Sequence, residues 1–415
     1  MRRSPFIFCL LLFAVAGRVA ALGVEATVTG EIGGELKLFA RNPEFVLPWK
    51  MSFGRGAAGE QSFSYKIDAA GTQLGVSGRI NLATGEGSWH IDQARVDAAV
   101  WLGLLAPRLG EGLKGVSAQG FLTVSGDGTL HNGEITGRLV CTWRDGVLVH
   151  AEQGWKLEGI SFNGEFAIDA VGLRGSSTAP FELKIGTIAH PRFGARNLEL
   201  KALLTPQRTL QLLSAQVEIA GGELFVDPAE VALIPPVVDL NLRFQRVGLQ
   251  DIVLLVPAAG LSDARGRIDG VVRLKWSDAT GLKLGLGHLA LRNDEPAIVR
   301  LSPNLGLLTG RVPQYIDLLP VWMGPLARWV RPENPAYGNL SSIELGKSDL
   351  RVTTLSVQLT PEGDDRGRSA TVKIAARPNQ SGGAVKEVTF DVNVAGPLDA
   401  LVKVGMEQNF SIDAH

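Results

Sequence analysis

The 415-residue sequence predicts a mainly β protein: an elongated, curled antiparallel sheet that forms a groove, with a few short helices. Three observations carry this. Hydrophobic residues make up 45% of the chain, which excludes disorder. The 50 glycines stand well above the usual ~7% and show no collagen-like period, which points to many strands joined by tight turns. Apolar and polar residues alternate with a period of two through much of the chain, the pattern of half-buried strands.

The N-terminus comes first. Arg2 and Arg3 supply a positive start, and Pro5 to Gly17 an apolar stretch. Val19 and Ala21 are the small residues of a cleavage site. The stretch falls short of the ~20 residues that span a bilayer, and Arg18 interrupts it. A cleavable signal peptide over residues 1–21 is expected, and with it a periplasmic protein, soluble or peripheral to a membrane. Cys9 lies inside the apolar run, so it is no lipoprotein cysteine. Cys141 is then the single mature thiol and excludes an internal disulfide. Its setting, Leu139-Val140-Cys141-Thr142-Trp143, is that of a small core residue.

Charge is balanced, 41 Lys and Arg against 42 Asp and Glu, without the basic stripe of a nucleic-acid binder. No nucleic acid is expected among its partners.

Strands are legible as alternating runs. Leu198 and Leu200 form one, Leu240, Leu242 and Phe244 another, and Leu282, Leu284 and Leu286 a third; Val372 and Ile374 follow, then Phe390 and Val392. Asp127-Gly128, Asn132-Gly133, Asp145-Gly146 and Asn163-Gly164 read as turns of a tight meander in which strand after strand pairs with its predecessor. Two apolar segments, Asp97 to Leu109 and Gly248 to Leu261, read as short helices. Each leads into a glycine-spaced strand, Gly115 to Gly120 and Gly266 to Gly270, so a degenerate internal repeat is expected. The chain then divides into units at 22–214 and 215–415. Pro313 to Val330 cannot be one continuous helix, because Pro320 and Pro325 interrupt it. Either it packs on a sheet end, or it exposes Trp322, Met323 and Trp329 to a membrane or a partner.

Chemistry is sparse. The six histidines form no metal-binding pair, and Gly75-Val76-Ser77-Gly78 is no nucleophile elbow. Gly346-Lys347-Ser348 resembles the end of a phosphate loop, but Ser341 replaces the upstream glycine. Gly285, Gly287 and Ala290 read as a glycine bulge that shifts strand parity before Leu289, not as a dinucleotide site. No catalytic residue, metal or cofactor is expected, and the protein is read as a non-enzyme.

The strands hold more apolar face than the short helices can cover. An ordinary sandwich or barrel is one arrangement that meets that excess; the other is a sheet curled lengthwise into a trough filled by acyl chains, each buried CH₂ contributing ~0.8 kcal/mol.

One stretch carries a resemblance. Gly221-Gly222-Glu223-Leu224-Phe225-Val226, the Val237 to Leu242 run, the helix up to Leu261, and Gly266-Arg-Ile-Asp-Gly270-Val-Val-Arg-Leu274 together resemble the C-terminal domain of the YdbH family. That family belongs with the AsmA-like and TamB-like proteins of Gram-negative envelopes. Phe390 to Asp399 and Asn409-Phe410-Ser411 are similar to its closing strands, so the resemblance covers roughly 215 to 413, and more weakly the N-terminal unit through the internal repeat. It implies a β-taco fold and phospholipid transfer between inner and outer membranes, with a role in outer-membrane homeostasis. It also implies phospholipids as ligands and an outer-membrane lipoprotein or other envelope protein as partner. A closed-core structural or adhesive β-solenoid, and a glycan-active β-helix enzyme, stay open as alternatives.

Overall fold

The computed structural model describes residues 29–395, apart from 38–45, 56–59, 110–114, 132–133, 169–175, 256–260, 319–330, 380–383 and positions 70, 82, 192, 208, 234, 278, 307 and 366. The expected signal peptide, Trp322, Met323, Trp329 and Asn409 to Ser411 lie outside the described residues. The fold is mainly β, a 22-stranded antiparallel sheet with three short α-helices among the described residues. None of these helices is long and apolar enough to cross a membrane. The chain divides into two compact units, Met1–Gln216 with Pro228–Pro236, and Val217–Asp227 with Val237–His415.

In the first unit β1 (Gly30–Lys37), β2 (Val46–Arg55), β3 (Glu60–Ala69), β4 (Thr72–Asn81) and β5 (Gly87–Asp97) pair in sequence. Helix α1 (Ala98–Leu109) follows, then the long strands β6 (Val116–His131), β7 (Glu134–His150) and β8 (Trp155–Ile168). The short β9 (Ser176–Ser177) pairs with the end of β8. β10 (Phe181–His190) also pairs with β8, and β11 (Phe193–Leu204) with β10. β12 (Thr209–Ile219) and β14 (Ala229–Leu233) pair through Thr209–Leu212, with β13 (Gly222–Val226) between them in sequence.

In the second unit β13 pairs with β15 (Pro236–Gly248). Helix α2 (Leu249–Leu255) and β16 (Leu261–Arg265) lead into β17 (Arg267–Ser277), which pairs back onto β15. β18 (Gly281–Leu291), β19 (Ala297–Leu301), helix α3 (Pro335–Glu344), β20 (Leu350–Leu359), β21 (Arg368–Pro378) and β22 (Val388–Ala395) complete it. The pairing runs β15, β17, β18, β20, β21, β22, while β16 and β19 form a side ladder onto β20.

Three of the four expected turn pairs fall inside strands. Asp127-Gly128, Asp145-Gly146 and Asn163-Gly164 lie within β6, β7 and β8, which are 16, 17 and 14 residues long. Only Asn132-Gly133 separates two of them. Long strands therefore run through positions that read as turns. Packing explains these glycines. Gly128 and Gly137 face each other across β6 and β7, and the Trp89 indole lies over both. A Cβ on Gly137 would sit 2.5 Å from Trp89 Cζ2, and one on Gly128 2.7 Å from Trp89 Cε2. Trp89 Nε1 donates to the Thr136 carbonyl at 3.2 Å, which fixes the ring there. Asp145 has φ 52° at a register shift between Trp143 and Gly146, so this pair is a bulge in mid-strand.

Both expected helices form, and their settings correspond. Asp97 Oδ1 caps α1 by accepting from Ala99 N at 2.9 Å. Trp101 Nε1 donates to Thr72 Oγ1 at 2.8 Å, and Val100, Trp101 and Leu104 pack on the core of Leu47, Phe63, Tyr65, Ile67 and Trp89. In α2, Leu249 and Val253 enter a core with Ile268, Val299, Leu350 and Ile374. Asp97 N donates to Gly71, and Gly248 N donates to Ala220. Gly71 opens the strand that pairs with β5, and Ala220 precedes the strand that pairs with β15. Each helix therefore starts where a long strand ends, next to the turn before that strand's neighbour.

Helix α3 is a feature the sequence reading passed over. Asn334 Oδ1 accepts from Ala336 N at 3.0 Å and Pro335 occupies the first turn, a regular helix start. Gly346, at φ 68°, lies just past the helix end, so Gly346-Lys347-Ser348 follows the end of a helix rather than opening one. Glu344 is 2% exposed and fixes the helix end to the Thr309–Arg311 3-10 turn. Its carboxylate accepts from Leu308 N (2.9 Å), Thr309 N (3.1 Å) and Thr309 Oγ1 (2.7 Å). Burial alone would raise its pKa, but these hydrogen bonds to the charged form outweigh burial and hold it below the usual carboxylate range.

Two predictions follow from this packing. Glu344→Gln lowers stability at neutral pH by about 1–3 kcal/mol in urea unfolding, because donors that a carboxylate satisfied lose their partner. The native pKa is depressed, so the wild-type advantage is complete above the unfolded carboxylate range and disappears as pH falls through the native value. An E344Q melt that matches wild type at pH 7 contradicts this role. Gly137→Ala, where the added methyl meets Trp89 and the Asp127 carbonyl, lowers the unfolding midpoint by about 1–3 kcal/mol; an unchanged midpoint contradicts the packing.

Candidate functional site

Side chains alternate along a strand, so an antiparallel register decides which of them share a face. In the second unit the register places Leu224, Phe244, Gly270, Leu289, Val357, Val372 and Val392 in one row across β13, β15, β17, β18, β20, β21 and β22. The adjacent row is Val226, Leu242, Val272, Gly287, Leu359, Ala370 and Val394. No polar residue interrupts either row. Six strand spacings of ~4.8 Å make each about 29 Å across. Leu240, Leu274 and Leu284 form a further row, and Val238, Trp276 and Leu282 another.

One end of this face is covered. Phe244, Leu289, Val372 and Phe390 pack against the core to which α2, β16, β19 and α3 contribute Val253, Ala264, Val299 and Ile343. Ile374 is buried there, paired with Leu355 and Phe390. Toward the other end Leu240, Leu242, Leu274, Leu282 and Leu284 lie outside that core and remain half-buried. The register therefore brings together Leu240, Leu242, Phe244, Leu282, Leu284, Val372, Ile374, Phe390 and Val392. It does not bring in Leu286. A bulge opposite Val272 and Leu274 inserts a residue between Leu284 and Gly287, and Leu286 is turned to the other face, 66% exposed.

The first unit repeats the arrangement. Met51, Tyr65, Val76, Ile91, Gly126, Leu139 and Phe166 share a row across β2 to β8. Leu122, Trp143, Phe162, Leu183 and Leu200 share another, and Leu198 faces Ile185 in the next. Leu198 and Leu200 thus belong to the apolar face of this unit, not to the face of the second. Cys141 lies in it as well, between Val124 and Gly164, and burial pushes its thiol pKa up, away from thiolate chemistry.

The opposite face is charged and cross-paired. Lys184 meets Glu199 at 3.2 Å and Lys201 meets Glu182 at 2.9 Å, both across β10 and β11. The Lys201 ammonium beside Glu182 holds that carboxyl below its ordinary range. Arg273 donates from Nε and Nη2 to the two Asp239 oxygens at 2.7 and 2.6 Å, and this bidentate bond lowers the Asp239 pKa likewise. These ion pairs are exposed and hold the polar face in water while the apolar face turns away from it.

Among the described residues no group of three His, Cys, Asp or Glu side chains could hold a metal ion. The geometry defines a class: an amphipathic, two-unit antiparallel β protein whose most extensive feature is apolar surface, not polar chemistry. Within that class the chain matches the model of the YdbH-like family, described as intermembrane phospholipid transport protein YdbH, over residues 49–311. This is more than half of the chain, and the chain belongs to that family, one described by phospholipid transport. The match begins in β2 and ends at the 3-10 turn, so it takes in parts of both units; the resemblance is carried mainly by 215 to 413 and more weakly by the N-terminal unit. No curated protein and no solved structure matches.

Adjacent valines on β17 test the face assignment. Val272 is 6% exposed within the apolar row and Val271 is 44% exposed on the other face. Val272→Asp destabilises the protein by more than about 3 kcal/mol in urea unfolding, and Val271→Asp by about 0.5 kcal/mol or less. Equal effects contradict the register.

Proposed function

We propose that the apolar face of the sheet is the floor of a groove that holds phospholipid acyl chains, and that the protein passes them between inner and outer membranes across the periplasm. The observation that supports this most is the pair of uninterrupted apolar rows across seven strands, continued by Leu240, Leu242, Leu282 and Leu284, which are half-buried and lie outside the buried core among the described residues. Acyl chains on these half-buried side chains would remove the remaining apolar area from water, each CH₂ contributing ~0.8 kcal/mol. The charged opposite face would keep the loaded protein soluble. A closed-core solenoid would instead bury those leucines in protein.

In this reading residues 1–21 direct export and are removed, and 22–214 and 215–415 are two groove units of one carrier. Trp322, Met323 and Trp329 touch a membrane or a partner, as interfacial aromatic side chains do. An outer-membrane lipoprotein or another envelope protein completes the path, and transfer supports outer-membrane homeostasis. No catalysis or cofactor is involved.

Lipid extraction and mass spectrometry of the purified full chain test the reading. Wild type carries phospholipid. Leu284→Asp, on the apolar face, lowers the bound amount severalfold, and Leu286→Asp, on the other face, leaves it unchanged. A chain with no phospholipid, or equal loading of the two variants, overturns it.

A further inference from the structure

On the polar face of the second unit, the Arg292–Pro296 connection between β18 and β19, together with Arg351, Thr353 and Arg377, bounds a hollow of about 560 Å³. Arg351 and Arg377 stand directly opposite each other in the β20 to β21 register, an arrangement of like charges that destabilises a sheet. The register shifts at the same place, between Val352 and Thr354, and such a bulge re-aims the flanking side chains.

The carboxylates around the hollow are engaged elsewhere. Asp294 receives two bonds from Arg292, from Nε at 2.9 Å and Nη2 at 2.5 Å. Arg292 Nη1 is held by Asp269 at 3.0 Å, and Glu295 lies 3.4 Å from Arg267 Nε. Glu387 approaches Arg377 Nε at 3.8 Å, beyond hydrogen-bond length, and this is the only ion pair of Arg377 among the described residues. Arg351 is exposed and makes no ion pair among the described residues. What an incoming group meets is one unengaged guanidinium, a second held only loosely, and the Asn293 amide beside them.

We propose that this hollow binds a phosphate group, with Arg351 and Arg377 as a two-armed clamp. A guanidinium presents paired N–H donors that fit two oxygens of a tetrahedral phosphate, and one phosphate between the two arginines removes the repulsion between them. The site lies on the face opposite the apolar rows, so the ligand here is not the headgroup of a lipid whose chains occupy those rows. Its phosphate comes from the headgroup of a lipid in an adjoining bilayer surface or from free phosphate.

The test uses the folded full chain, Arg351→Gln/Arg377→Gln, and a control, Lys275→Gln/Lys283→Gln, which neutralises another directly opposed cation pair outside the hollow. Binding of inorganic phosphate is read by calorimetry, and co-sedimentation is read with phosphatidylcholine vesicles with and without phosphatidylglycerol. Wild type and the lysine control bind phosphate alike, and the arginine variant binds about tenfold or more weakly. Retention by phosphatidylglycerol vesicles that falls in the arginine variant identifies the source as a bilayer headgroup; phosphate binding without retention identifies it as the free ion. No phosphate binding by wild type, or equal loss in the lysine control, overturns the proposal. Lipid extracted from the arginine variant stays at the wild-type amount, which separates this outcome from failure of the groove reading.

Discussion

Everything in this fold depends on keeping one side-chain parity across long antiparallel strands. A strand of 16 or 17 residues presents about eight side chains to each face, and a slip of one residue exchanges the faces. Aromatic side chains over glycines help to hold the register in the first unit. Trp89 spans Gly128 and Gly137 and is tied to the Thr136 carbonyl, and Phe63 lies over Gly78 in the same row. A shifted strand would set a Cβ against these rings. The same contacts fill the apolar face where glycine leaves it thin, as aromatic cover does for glycine in designed sheets.

Departures from regularity are placed where parity has to change. The bulge at Gly285 to Gly287 returns Leu289 to the apolar face and leaves Leu286 outside it. The shift between Gln119 and Phe121 coincides with Gly120 at φ 106°, a conformation open to glycine and not to the side chains around it. Helices α1 and α2 begin where β5 and β15 end, and their apolar side chains close the face at that end of each unit. Closure is local. In the second unit it stops before Leu240, Leu242, Leu282 and Leu284, which are half-buried and lie outside the buried core among the described residues.

Much of this was legible in the sequence. Alternation located the strands and the members of the apolar rows, and two apolar runs located α1 and α2. Asp-Gly and Asn-Gly misled, since the same dipeptides serve tight turns and mid-strand sites beneath aromatic rings, and only long-range packing separates the two uses. Leu286 was misassigned to the apolar face although the bulge itself was readable, because the number of residues that a bulge inserts depends on the partner strand. Glu344 gave no signal, since its donors at Leu308 and Thr309 are 35 or 36 residues away. Asn334-Pro335 did signal a helix start and was passed over.

The central claim is that one face of the sheet meets lipid and the other meets water. A photo-reactive amino acid placed singly at Leu242, Leu284, Val271 or Leu286, irradiated in cells and read by mass spectrometry of the purified chain, tests it most directly. The account predicts phospholipid adducts at Leu242 and Leu284 and none above background at Val271 and Leu286. Adducts of equal yield at all four positions, or at none, would contradict it.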